Sequence, residues 1–140
     1  TAGSGLDTII LPDLGGTYYL TRSSGSSNYD HGALFVETSM SIQGVSEAVT
    51  IIDASGFPAY ARDRLFFVFP GSSLTLSQMT LTNGQALYGN DGAGGAQGSA
   101  GESGGAILSY SSSLPLEHVA ISNSNAGGGG DGSPAILSGA

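Results

Sequence analysis

Short segments with apolar residues at alternate positions recur along the whole chain, separated by Gly, Asn, Asp and Pro. Alternation with a period of two is typical of a β-strand with one buried face, and no segment keeps the 3.6-residue period of a helix. The pattern therefore predicts an all-β chain. The predicted strands lie at 8–11, 17–21, 33–36, 40–43, 49–52, 65–69, 74–77, 79–82, 106–109, 114–116, 119–122 and 135–138.

Two of these regions repeat each other. Residues 72–86, SSLTLSQMTLTNGQA, are echoed by residues 112–126, SSLPLEHVAISNSNA. Each copy contains two short strands followed by an Asn, at Asn83 and Asn123, and a looser earlier copy ends at Asp53. Because Asn and Asp tolerate the left-handed backbone of a tight corner, we expect these three residues to form a ladder of stacked corner side chains.

A further apolar strand precedes each pair, and Gly-rich stretches of different length separate the copies. Insertions of variable length at one point of a repeat are typical of a solenoid, in which each repeat contacts only its neighbours. Three short strands per copy predict a right-handed parallel β-helix of about four coils, with long Gly-rich loops at one corner and Leu76 beside Leu116. A β-sandwich is the alternative, with Asn83 and Gly84 as its one favourable hairpin turn.

The segments DTIILPDLGGTYYLT (7–21), ALFVETSMSIQG, VTIIDASG and SSLTLSQMTLTNG resemble the N-terminal coils of large secreted bacterial right-handed β-helix repeat proteins. These are the polymorphic-outer-membrane-protein-like and pectate-lyase-like surface proteins. The resemblance implies an extracellular surface or fibre protein, and it carries over no catalytic residue. The chain opens with TAGSG and has no signal segment, so we expect a processed product or a piece of a longer chain.

Composition narrows the classes of partner. Acidic residues outnumber basic ones 11 to 3, which gives a net charge of −8 and disfavours binding to nucleic acid or to anionic membrane surfaces. No apolar run approaches the roughly 18 residues of a membrane-spanning helix. The absence of Cys excludes disulfides and thiol chemistry. A length of 140 residues predicts a single domain, residues 1–140.

The acidic residues do not form a catalytic pattern. β-Helix enzymes that cleave acidic polysaccharides cluster carboxylates at equivalent positions of adjacent coils, whereas only Asp53 occupies a repeating corner here. Asp91, Glu102 and Asp131 lie in the Gly-rich stretches but do not match the calcium-binding nonapeptide, so the sequence leaves Ca²⁺ binding open. We expect no catalytic residue, no metal site and no cofactor.

Two of the three cations, Arg62 and Arg64, flank Asp63. This short cluster predicts an isolated ion pair at the surface. A lyase would use an Arg as its base, but the acidic cluster that should accompany such a base is missing from the sequence.

Both faces of one predicted sheet are apolar, because neighbouring positions in segments 33–36, 66–69 and 106–108 are all apolar. In one register the outward residues, which we expect to form subunit contacts, are Leu34, Val36, Phe67, Phe69 and Ile107. The reversed register would expose the opposite set. Contiguous exposed apolar surface marks contact with another chain or element. The alternative is that loop 84–103 of the same chain covers this sheet.

The sequence thus predicts a non-enzymatic, secreted bacterial structural protein that associates head-to-tail and laterally into a fibre or surface layer, since neither end of the predicted stack carries an evident cap. Two alternatives remain open. One is an adhesin or passenger-type stalk that binds a glycan or another cell-surface partner. The other is a fragment of a carbohydrate-active lyase or hydrolase, for which acidic residues repeated on one face would be the distinguishing feature.

Overall fold

The computed structural model describes residues 6–21, 32–58, 61–110 and 113–134. In these ranges no helix has the length and apolarity needed to cross a membrane. They contain a single-turn 3-10 helix, Ala54–Gly56, and nine strands. The strands are β1 (Asp7–Ile10), β2 (Tyr18–Tyr19), β3 (Leu34–Val36), β4 (Met40–Gln43), β5 (Ile51–Asp53), β6 (Phe66–Val68), β7 (Leu74–Thr82), β8 (Ile107–Ser109) and β9 (Leu116–Ser122).

These strands form two sheets in which every pairing is parallel. The larger sheet has six strands in the order β1-β4-β7-β5-β2, with β9 also paired to β7, and it curves as a half-barrel. The smaller sheet has the order β3-β6-β8. Because β7 has nine residues, its first half pairs with β4, its second half pairs with β5, and β9 pairs with both halves.

The prediction of a right-handed parallel β-helix of about four coils is wrong. The described strands are divided between a curved six-stranded sheet and a three-stranded sheet, and no solenoid is identified in this part of the chain. The sequence pattern predicted two strands and a corner where the structure has one strand. A single left-handed residue, Gln78 in β7 (φ 58°) or His118 in β9 (φ 50°), bends the strand without ending it. Parallel pairing of the repeated segments therefore did not by itself determine how many sheets the strands form.

The register within the larger sheet follows the sequence repeat. Leu76 pairs with Leu116, as predicted, and Leu81 pairs with Ile121. On the other side of β7, Ile42 pairs with Leu76. Since alternate residues of a strand point to the same side, these apolar residues form continuous rows across the sheet.

The two sheets share one hydrophobic core. Phe66 and Val68 from the smaller sheet belong to the same buried cluster as Leu74, Leu76 and Leu81 from the larger sheet. Each of these five side chains is at most 1% exposed. Burial of a side chain of this size stabilises the fold by about 1.5–3 kcal/mol, so the rows facing the core hold the sheets together.

The Gly-rich stretches were predicted as loops, but they pack together as three extended segments, 86–92, 96–102 and 125–133, which we call the glycine bundle. Backbone hydrogen bonds join each segment to the other two at every third residue. The N–H groups donate at N–O distances of 2.7–3.1 Å in the pairs Ala86–Asn125, Gly89–Gly128, Gly92–Asp131, Ser99–Asn90, Glu102–Leu87, Gly127–Glu102, Gly130–Ser99 and Ser133–Ala96. A three-residue period is typical of polyproline II helices, which make no internal hydrogen bonds and therefore leave their backbone groups free to pair with neighbouring segments.

Glycine is required in the bundle because the segments approach each other at backbone distance. A Cβ on Gly127 would lie 1.7 Å from the carbonyl oxygen of Leu87, and a Cβ on Gly98 would lie 2.1 Å from that of Gly130. The same steric rule places Gly at every third position of collagen, where only a hydrogen atom fits at the crowded axis. The Gly-rich stretches are therefore a packed part of the fold.

Candidate functional site

Both edges of the larger sheet expose residues of its core-side rows. Ile9 is 45% exposed although it pairs with Ile42, which is buried. At the other edge Leu116 is 44% exposed and Ile121 is 48% exposed, although their partners in β7 are fully buried. Among the strands that the structure describes, none lies beyond β1 or β9. The core-side rows are therefore open at both edges.

The backbone of β1 and β9 is available at the same two edges. An edge strand carries a row of N–H and C=O groups that can pair with another strand. Because all pairings in the larger sheet are parallel, β1 and β9 run in the same direction and form its opposite edges. A strand that runs in the direction of β1 can therefore pair in parallel with β9, and a strand that runs in the direction of β9 can pair in parallel with β1.

The predicted corner residues stabilise the backbone where the strands end. Asn83 and Asn123 adopt left-handed conformations, with φ of 61° and 48°, whereas Asp53 is extended and begins the 3-10 turn. The Asn83 side-chain amide donates to Asp53 Oδ1 at 2.9 Å, and the Ser55 N–H donates to the same oxygen at 2.7 Å. Burial raises the pKa of Asp53, but the hydrogen bonds from Asn83 and Ser55 outweigh it, so the pKa lies below its ordinary value. This carboxylate is held in its charged form by the corner.

The smaller sheet requires a correction to the predicted contact residues. Val36 is only 1% exposed and pairs with Val68 in the core, so it lies on the inner face. Leu34 and Ile107 pair with Phe66 and belong to the core-side row as well. Leu34 is 42% exposed because β3 is an edge strand. β3 and β8 therefore adopt the reversed register, whereas β6 keeps the first one, with Phe66 and Val68 facing the core and Phe67 facing outward.

The outer face of this sheet carries an aromatic cluster, which we call the aromatic face. It consists of Phe35, Phe67, Phe69 and Tyr110, so two of the predicted contact residues lie in it. The ring centre of Phe67 lies 5.7 Å from Phe35, 4.8 Å from Phe69 and 5.8 Å from Tyr110, the separations of favourable aromatic pairs. Phe35 is 41% exposed and Tyr110 is 62% exposed. The face is thus accessible to a binding partner.

The charged residues beside the aromatic face are more buried than the sequence indicated. Arg64 is 3% exposed and Asp63 is 7% exposed, so the predicted surface ion pair is wrong. The Arg64 guanidinium forms an ion pair with Glu102, which reaches it from the glycine bundle. Alternation in RDRLFFV did not signal this burial, because Arg64 lies against Phe67 on the outer face and not with the inward-facing Phe66 and Val68.

The acidic residues of the Gly-rich stretches do not meet at one point. Asp91 accepts a hydrogen bond from the Asp131 N–H at 2.8 Å, but Glu102 is engaged by Arg64. Within the described ranges no three His, Cys, Asp or Glu residues form a group that could hold a metal ion. The geometry therefore supplies no calcium site built from these three carboxylates.

Comparisons with known proteins do not assign a family. The chain matches no protein-family model, no curated protein and no solved structure. The resemblance to secreted bacterial surface proteins therefore stays a prediction, and the function is argued from the sheet edges.

Proposed function

We propose that this chain is a non-enzymatic extracellular structural module that associates with copies of itself through the open edges of its larger sheet. The observation that carries the proposal is the exposure of core-side residues at both edges, Ile9 at one and Leu116 and Ile121 at the other. The extracellular location is supported by the resemblance described above. The proposed non-enzymatic role rests on the sequence, in which the acidic residues form no repeated cluster.

The register of the sheet defines how two copies would meet. Ile9, Ile42, Leu76 and Leu116 form one row, so a second copy whose β1 paired with β9 would place its Ile9 beside Leu116. A parallel strand added at this edge satisfies backbone groups and continues the core-side rows in one step. Because this contact joins different surfaces of the two copies, it leaves a free edge at each end and generates an open chain of subunits.

The same geometry places a second row in contact. Tyr18 pairs with Ile52, Ile52 with Leu81, and Leu81 with Ile121. In the associated state Tyr18 of the added copy would therefore cover Ile121.

The net charge of −8 opposes association of two copies. We therefore expect the association to become tighter at higher salt concentration, because salt screens the repulsion between the copies.

A pair of Lys substitutions in β9 tests this proposal. Ile121→Lys is expected to abolish association because its charge would be buried against Tyr18 of the next copy, whereas Ile121 is already half-exposed in a single molecule. Ala120→Lys is the matched control. Ala120 pairs with Thr80 of β7, which lies between the inward-facing Met79 and Leu81, so the side chains of Thr80 and Ala120 face away from the core. Both variants change the net charge equally. Sedimentation velocity at physiological ionic strength measures the subunit distribution.

We expect concentration-dependent oligomers for the wild-type chain and for Ala120→Lys, and monomers for Ile121→Lys. A wild-type chain that stays monomeric at its highest soluble concentration would reject the proposal. So would an Ala120→Lys variant that dissociates as completely as Ile121→Lys, because the effect would then come from charge and not from the core-side row.

A further inference from the structure

One of the core-side rows of the larger sheet begins with a charged residue. Asp7 pairs with Met40, and Met40 pairs with Leu74, which is fully buried. Since alternate residues of a strand share a face, Asp7 lies on the same side of β1 as Ile9, whose partner Ile42 is buried in the core. Asp7 therefore occupies a core-side position, although it is exposed in a single molecule.

The same row ends in an apolar residue at the opposite edge of the sheet. Leu114 lies two residues before Leu116, which pairs with Leu76, so the register places Leu114 beside Leu74. The Leu76 N–H donates to the Pro115 carbonyl at 3.1 Å, which extends the parallel pairing in this direction. Leu114 is half-buried and packs against the hydrophobic core. The row thus has a carboxylate at the β1 edge and an apolar side chain at the β9 edge.

Edge-to-edge association would bring the two ends of this row together. A second copy whose β1 paired with β9 would place its Asp7 beside Leu114, one strand spacing or about 4.8 Å away. A charged group that loses its water without gaining a partner is strongly disfavoured. Inward-pointing charges on the edge strands of natural sheets limit pairing with other chains for this reason. The carboxylate of Asp7 therefore opposes the contact that the other core-side rows favour.

The neighbouring elements supply no counter-ion for this carboxylate within the described ranges. β4, which pairs with β1, has the sequence MSIQ and contains no titratable residue. The nearest titratable residues along the neighbouring strands are Glu37, three positions before β4, and Glu117 and His118, three and four positions past the row. The two acids cannot neutralise Asp7, and His118 lies about 13 Å away along the strand. A proton on Asp7 itself removes the charge.

We propose that Asp7 regulates the edge-to-edge association, and that the contact closes when the Asp7 carboxylate takes up a proton from solvent. This role of Asp7 depends on the proposed association and adds its regulation. The protonated group is neutral, so the next copy can cover it without burying a charge. Because each contact takes up one proton, the association constant is expected to rise about tenfold for each unit by which the pH falls. The chain therefore associates weakly at neutral pH and more tightly in acid.

Sedimentation velocity at constant ionic strength, from about pH 7.5 to about pH 5.5, tests the proposal. Asp7→Leu is expected to associate about tenfold or more tightly than the wild-type chain at the upper pH, because the row is then apolar along its whole length. Asp7→Asn is expected to lose the tenfold rise per pH unit, since an amide takes up no proton in this range. Asp91→Asn is the matched control, because it removes the same charge from the glycine bundle and can still accept from the Asp131 N–H.

The double variant Asp7→Leu, Ile121→Lys is expected to be monomeric, which would show that the tighter association uses the same edge. The regulatory role is rejected if Asp7→Leu associates no more tightly than Asp91→Asn, or if Asp7→Asn keeps the pH dependence of the wild-type chain. In both of these cases association of the wild-type chain leaves the proposed function standing. Absence of association in every variant across the pH range rejects the proposed function and the role of Asp7 together.

Discussion

Replacing Gly127 by Ala is expected to disrupt the glycine bundle, whereas replacing Gly129 by Ala is expected to leave it intact. The added Cβ at Gly127 would lie 1.7 Å from the Leu87 carbonyl oxygen, and a backbone atom in a packed segment has no room to move away. At Gly129 the nearest atom to an added Cβ is the Ser99 oxygen, at the ordinary contact distance of 3.6 Å. We expect a loss of about 3 kcal/mol or more for Gly127→Ala and a change within about 1 kcal/mol for Gly129→Ala.

The two substitutions are chemically identical and lie in the same segment, so their effects on the unfolded chain are closely matched. Chemical denaturation measures the free energy of unfolding, and amide hydrogen exchange at Gly89 and Gly92 reports the bundle directly. Equal stability of the two variants would show that the segments do not approach each other at backbone distance.

Replacing Phe66 by Ala is expected to destabilise the protein by about 3–5 kcal/mol, because the substitution leaves a cavity between the two sheets. Phe66 is 1% exposed and lies in the central strand of the smaller sheet, paired with Leu34 on one side and Ile107 on the other. A loss of this size is a large part of the total stability of about 5–15 kcal/mol that is usual for a domain.

Phe35→Ala is the control for this prediction. Phe35 lies on the neighbouring strand but on the outer face, where it is 41% exposed, so its removal should reduce the free energy of unfolding by about 1 kcal/mol. Urea denaturation with both variants measures the difference. A loss for Phe35→Ala as large as that for Phe66→Ala would mean that the inner and outer faces of this sheet are assigned the wrong way round.

The sequence repeat predicted strand register well, because side chains that face a common core must match from one strand to the next. The pairing of Leu76 with Leu116 follows directly from the 40-residue echo. The repeat did not predict the architecture. Whether a corner ends a strand or only bends it depends on the backbone of one residue. His118 is of a type enriched in the left-handed region, but Gln78, at the equivalent position of β7, is not.

The inner and outer faces of the smaller sheet could not be assigned from apolar periodicity, because both faces of its strands are apolar. Val36 and Phe67 occupy adjacent strands and looked equivalent in the sequence, yet Val36 is in the core and Phe67 is in the aromatic face. The assignment depends on how the sheet packs against the larger one. That packing is a tertiary property, which local sequence does not contain.

The glycine bundle was missed for a different reason. Its hydrogen bonds join residues that are up to 39 positions apart, such as Ala86 and Asn125, and glycine has no side chain whose polarity could indicate a buried side. The three-residue spacing of Gly89 with Gly92, and of Gly127 with Gly130, was nevertheless visible. Read as a polyproline II period, it predicts close backbone packing. The burial of Arg64 follows only from that packing, because the bundle carries Glu102.

Disulfide cross-linking tests the central claim, that copies add edge to edge, most directly. Ile10, Gln43, Ser77 and Glu117 form one row across the larger sheet, so β1 of an added copy would place its Ile10 beside Glu117. Within one molecule these two positions are three strand spacings apart, about 14 Å, which exceeds the Cα separation of about 4.4–6.8 Å that a disulfide requires. The chain contains no Cys of its own, so every disulfide formed would involve the introduced residues.

Under mild oxidation we expect the double variant Ile10→Cys, Glu117→Cys to form a ladder of covalent dimers, trimers and longer chains. The control, Ile10→Cys with Tyr88→Cys, pairs the same edge position with an exposed position outside the sheet edges and should stay monomeric. Absence of the ladder, or an equal ladder from the control, would contradict edge-to-edge association.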